Sequence, residues 1–99
     1  MLDFYIIKDE QKKPNNPGKL GRDYAGGLDY KTFSNLQNKG IIDNRFDYYS
    51  DFRLDTKLIN QIRLQIIQKN MQTDTDVILL LQILNMTEIN QCGLMAYCD

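Results

Sequence analysis

Ninety-nine residues, 42% hydrophobic, 25% charged and 10% aromatic, are enough for one core, and the composition is too ordinary for disorder, a collagen-like repeat or a disulfide scaffold. Twelve Lys and Arg against thirteen Asp and Glu leave a net charge of −1, so no overall field draws in phosphate backbones or anionic lipid. With no histidine, imidazole is absent as base, acid or ligand, and two cysteines alone cannot complete a four-ligand zinc site within one chain.

Residues 2–7 read as a strand, with Leu2, Phe4 and Ile6 on one face and Asp3, Tyr5 and Ile7 on the other. This opening segment is too short and too early for a signal peptide, and the longest apolar run, Val77 to Leu81, is far below a membrane span. A cytoplasmic protein with no membrane association is the default expectation. Residues 8–28 read as one long loop, because Pro14, Pro17, Gly18, Gly21, Gly26 and Gly27 fall among Lys and Asn. Its Gly18-Lys-Leu-Gly21 step matches the glycine pair of a KH-type nucleic-acid clamp but lacks the flanking helices. The first 22 residues carry five bases against three acids, thin support for nucleic acid.

Asp29 is placed to cap a short helix over Tyr30–Lys39, with Phe33 and Leu36 facing inward and Gly40 as its stop. Residues 45–54 alternate with period two. Phe46, Tyr48, Phe52 and Leu54 take one side with Ser50, and Arg45, Asp47, Tyr49, Asp51 and Arg53 take the other, which predicts a half-buried strand, bent near Ser50. Asp55 caps a helix over Thr56–Lys69 whose core stripe is Leu58, Ile59, Ile62 and Ile66. After a polar turn, Thr73 and Asp76 resemble a capping box for a helix from Asp74 to about Asn90. That helix carries two apolar stripes, Val77, Leu80, Leu81 and Leu84 on one and Leu79, Ile83 and Met86 on the other. Gly93 is expected to break it before a closing strand over 94–98, which holds Cys98, with Cys92 beside it.

The pattern predicts one α+β domain spanning 1–99: a small sheet of about three strands (2–7, 45–54, 94–98) packed against two long helices plus one short helix. No serine elbow, phosphate-binding loop or calcium loop is complete, so neither cofactor nor metal is called for. Asp43, Asp47, Asp51 and Asp55 recur every four residues and would line up as cation ligands only on a helix.

The functional expectation is a non-enzymatic protein-binding module, such as a small bacterial-type accessory or immunity protein that occupies a partner's surface. The candidate binding residues are Arg45, Asp47, Tyr48, Tyr49, Asp51 and Arg53, with Tyr24 beside the loop, since tyrosine framed by arginine and aspartate has the composition of an interface hot spot. The alternative is a small enzyme using Asp47 or Asp51 as base with Arg45 or Arg53 holding an anion. A further expectation is homo-oligomerisation through Leu79, Ile83 and Met86.

Overall fold

A computed structural model describes residues 1–13, 23–89 and 91–98. Seven elements follow in order: strand β1 (Leu2–Ile7), strand β2 (Tyr24–Leu28), helix α1 (Tyr30–Asn38), strand β3 (Phe52–Leu54), helix α2 (Thr56–Gln68), helix α3 (Thr75–Asn85) and strand β4 (Gly93–Cys98). The fold is α+β as the patterning requires, with a four-stranded antiparallel sheet in the order β2-β1-β4-β3. The two strands nearest the chain ends therefore sit side by side at the centre. Their register runs from Leu2 opposite Cys98 to Ile7 opposite Gly93.

Pleating sends β1 and β4 residues alternately to two faces. Leu2, Phe4, Leu94 and Ala96 join Leu28, Leu54 and the inward residues of all three helices in the main core. The other face carries a smaller cluster, Ile7, Met95 and Tyr97, with Tyr5 against it. No helix residue belongs to that second cluster. Burying a Phe4- or Leu80-sized side chain contributes about 1.5–3 kcal/mol relative to exposure, so the helical face supplies most of the apolar stabilisation.

The helix caps follow the expected chemistry at most ends. Asp29 accepts the Thr32 N–H and Asp55 accepts the Leu58 N–H, both at 2.8 Å. Helix α1 stops in a Schellman motif: Ile41 N–H reaches Leu36 C=O, Gly40 N–H reaches Gln37 C=O, and Gly40 takes φ +74°. Helix α2 ends in the same way, with Asn70 in the left-handed position at φ 53°. The α3 cap is Asp74, which accepts the Asp76 and Val77 N–H groups, and not Thr73 as the capping-box pattern suggested.

Four further sequence expectations are corrected. First, residues 8–28 are not one loop: 24–28 form β2, an edge strand. Its register slips between Phe4 and Tyr5, a bulge that admits Gly26 at φ +140°. Glycine-rich sequence masked this strand because glycine contributes no side-chain pattern. The prolines and the Gly18–Gly21 step lie outside the described residues. Second, the 45–54 strand shrinks to 52–54. Asp43 and Asp47 accept the N–H groups of Arg45 and Tyr49, and the Phe46 and Ser50 N–H groups return to the carbonyls of Asp43 and Asp47. Two consecutive aspartate-closed turns satisfy the backbone locally and leave no ladder to form. The alternation survives in part, with Tyr48 and Leu54 buried, Phe46 and Phe52 half-buried, and Arg45, Asp47, Tyr49 and Asp51 exposed, while Ser50, expected inward, is exposed and Arg53, expected outward, is half-buried.

Third, α3 ends at Asn85, well before Gly93. The Leu84 carbonyl is taken by the Thr87 hydroxyl at 2.7 Å and by the Arg63 guanidinium at 2.9 Å, and Gly93 opens β4 instead of breaking a helix. Asn90 lies outside the described residues. Fourth, Ile83 is 3% exposed and packs into the core; a Cβ built on Gly26 would fall 2.9 Å from its Cγ1. Leu79 and Met86, by contrast, are 45% and 48% exposed. The apolar second stripe of α3 is therefore split between core and surface. No helix among the described residues is long and apolar enough to cross a membrane.

Candidate functional site

The seven residues singled out by sequence do not converge on one place. They divide between two faces of the molecule, with Arg45 on the boundary of one of them.

The first location is the double turn over 43–50, against α1. The Gln37 side-chain amide on α1 donates to the carbonyls of Asp43 (3.2 Å) and Phe46 (2.7 Å), pinning the first turn to the helix. Tyr48 then projects inward beside Phe33, ring centroids 5.8 Å apart, and is 8% exposed. Burial, with nearby acidic groups including Asp29 adding to it, pushes its hydroxyl pKa up, so it stays neutral through the physiological range. Tyr49 projects outward and stacks on Tyr30 from the first turn of α1, with centroids at 5.9 Å and planes at 27°. Tyr48 stands edge-on to both, at 5.4 Å from Tyr30 and 5.1 Å from Tyr49. These edge-to-face and offset contacts are the favoured aromatic geometries and contribute about 0.5–1.5 kcal/mol per pair beyond burial.

Tyr30 and Tyr49 are nevertheless 54% and 68% exposed. Between them and the turn lies a cleft of about 270 Å³, lined also by Ser34, Asn44 and Asp47. Asp47 is the one carboxylate of its described lining, and no base lines it. The Asp47 carboxylate accepts the Tyr49 N–H at 3.0 Å and the Ser50 hydroxyl at 3.3 Å. Arg45 turns elsewhere: its guanidinium lies 4.8 Å from the Phe46 ring centre and borders a separate cleft of about 220 Å³ toward α2.

The second location is the sheet face opposite the helices. Arg53 donates there to the backbone carbonyls of Lys8, Asp9 and Gln11. Asp51 accepts the Lys13 ammonium at 2.9 Å and the Cys98 N–H at 3.2 Å, and the Lys13 contact foremost holds its carboxyl below the usual range. Lys13 also lies 5.6 Å from the Tyr97 ring centre. Tyr24 belongs to the same face, donating to Asp3 at 3.2 Å with its ring edge-on to Tyr5, which in turn meets Tyr97. Asp51 and Arg53 thus fasten the segment after β1 across the sheet.

This arrangement bears directly on the proposed acid–arginine cluster. Asp47 and Arg45 face different clefts on one side, while Asp51 and Arg53 are engaged with residues 8–13 and β4. The four-residue spacing of the aspartates has a structural account too: Asp43 and Asp47 close turns, Asp51 bonds Lys13 and Cys98, and Asp55 caps α2. Among the described residues, no group of three or more Cys, Asp or Glu side chains gathers where it could hold a metal ion. Cys92 is buried and Cys98 half-buried, at the two ends of β4.

Sequence reasoning missed Tyr30. It lies three residues before Phe33 and so shares the inward face of α1, one turn beyond the point where the core ends. Only the return of the 43–50 turn to that helix end makes it part of a site. Comparison of the chain with protein-family models, curated proteins and solved structures finds no match.

Proposed function

We propose that the protein is a non-enzymatic binding module that docks a partner protein on the Tyr30–Tyr49 face. The observation that carries this reading is the pair of stacked tyrosines, both more than half exposed and yet packed on one another. A large ring that is ordered before contact loses little entropy on binding, which is why tyrosine suits interface hot spots. The Gln37 staple and the Asp47 turn supply that order. A small bacterial-type accessory or immunity protein, acting by occupying a partner's surface, would use such a face.

The test is a comparison of complexes captured from native lysate by the intact chain and by the Tyr30→Ser, Tyr49→Ser variant. Loss of a stoichiometric partner from the variant, with its amide spectrum otherwise preserved, is the expected result. Retention of the partner would place the docking surface elsewhere.

Self-association is a second reading, favoured by the exposure of Leu79 and Met86 on the outer side of α3. It rests on these two, since Ile83 belongs to the core. Sedimentation equilibrium that returns only monomer at high concentration would remove it.

A further inference from the structure

We infer that the tyrosine cleft takes an arginine side chain presented by a basic segment of the partner, an inference that rests on the docking role proposed above and specifies its chemistry. The shape of the site narrows the ligand first. A group sandwiched between two rings needs roughly 7 Å between them, twice the carbon contact distance of about 3.5 Å. The Tyr30 and Tyr49 centroids are only 5.9 Å apart, so nothing enters between them. A ligand group must instead lie flat on an outer ring face, and Tyr49 is the more exposed of the two. Those faces carry the negative part of the ring quadrupole. A planar, weakly hydrated guanidinium covers such a face better than a compact, strongly hydrated ammonium.

The charges point the same way. Asp47 lines the cleft without any base beside it in the described lining. Its two contacts, to Tyr49 N–H and Ser50 hydroxyl, use two of the roughly four acceptor positions of a carboxylate, leaving capacity for an incoming N–H. Asp29, next to Tyr30 in the chain, is held in its charged form chiefly by the Thr32 N–H. Arg45, which would otherwise neutralise this side, is folded over Phe46. Lys31 offsets part of the Asp29 charge, so Asp47 is the carboxylate that an anionic segment would meet in the cleft, and an uncharged proline-rich segment would leave it unused.

The experiment is an NMR titration of the full chain, observing the ring signals of Tyr30 and Tyr49. The probes are four capped peptides of equal length: alternating Arg-Gly, alternating Lys-Gly, alternating Glu-Gly, and an uncharged proline-rich sequence. The Arg-Gly peptide is expected to give saturable shifts at both rings. The Lys-Gly peptide should bind roughly two- to fivefold more weakly, and Asp47→Asn should weaken Arg-Gly binding by a similar factor, in line with single exposed cation–π and ion-pair contacts. Asparagine still closes the turn at position 47, so the amide signals of 43–50 act as the folding control. A salt series on the unaltered chain reads the same charge without a substitution.

Tighter saturable binding of the Glu-Gly or proline-rich peptide would overturn the inference, as would identical Arg-Gly affinity in Asp47→Asn. If the native complex depends on Tyr30 and Tyr49 but survives Asp47→Asn, and the rings ignore the Arg-Gly peptide, the docking face stands and its cationic chemistry falls. If the tyrosine variant keeps the native complex, both fall.

Discussion

Asp74 shows how much a single side chain does in so small a core. Its carboxylate caps α3 through the Asp76 and Val77 N–H groups and also accepts the Lys39 ammonium at 2.7 Å, while Lys39 reaches Asp76 at 2.8 Å. The C-terminal end of α1 is thereby tied to the N-terminal end of α3. The Lys39 contact first, then the Val77 N–H, lowers the Asp74 pKa below its ordinary 3.8, and the Asp74 carboxylate first, then Asp76, raises Lys39 above 10.5. A carboxyl with a depressed folded-state pKa contributes stability that is present above its unfolded value and lost as pH falls through the folded one. Urea midpoints should therefore decline on acidification below about pH 4, and Asp74→Asn, which keeps a capping oxygen, should show a shallower decline. An unchanged acid limb in that variant would assign acid sensitivity to Asp29 and Asp51, whose carboxyls are also held low. At the alkaline end the Lys39 contribution is present below pH 10.5 and fades as pH rises through its raised value. The capping roles of Asp29 and Asp55 were legible in the sequence; that of Asp74 was assigned to its neighbour Thr73, and the lysine partner was not legible because 35 residues separate Lys39 from Asp74.

At the scale of elements, the seam between β2 and α3 is the least expected. Gly26 sits in the edge strand at φ +140°, a conformation that L side chains rarely adopt, and Ile83 occupies the space its Cβ would need. Gly26→Ala therefore incurs backbone strain and overpacking together, for a predicted loss of about 2–4 kcal/mol in urea unfolding. A loss below about 0.5 kcal/mol would mean that β2 shifts freely and that its bulge is not fixed by α3. The seam also explains how a helix with two apolar stripes is accommodated. Val77, Leu80 and Leu84 enter the core, Ile83 meets the glycine strand, and Leu79 and Met86 are left outside. The helices were readable because their apolar spacing and aspartate caps are local signals. Residues 45–51 of the expected 45–54 strand were misread because their side chains alternate while the backbone bonds of 43–50 close within four residues. Periodicity reports which side chains face inward, not where the N–H groups go.

For the whole molecule, the central pairing of β1 with β4 joins the two ends of the chain, so the sheet cannot form until its most distant segments meet. Removing residues 94–98 should accordingly abolish the cooperative unfolding transition and collapse amide dispersion, because β1 and β3 both lose their shared neighbour. A truncated chain that still unfolds cooperatively would show that the helices and the β1–β2 pair form a core by themselves. The same long-range closure makes the two surfaces of the molecule different. Helices cover one sheet face, and on the other the described cover is residues 8–13, fastened by Arg53 and Asp51. Two of the nominated binding residues thus became fasteners, while Tyr30, nominated by nothing, joined Tyr49. The sequence by itself determined the α+β class, the three helices, the strands nearest the chain ends and the inward and outward sides of 45–54 except at Ser50 and Arg53, since each follows from local spacing and capping. Only the tertiary structure decided the strand order, the fourth strand, the burial of Ile83 and the meeting of Tyr30 with Tyr49. Those depend on which distant segments exclude water together, and no local pattern carries that information.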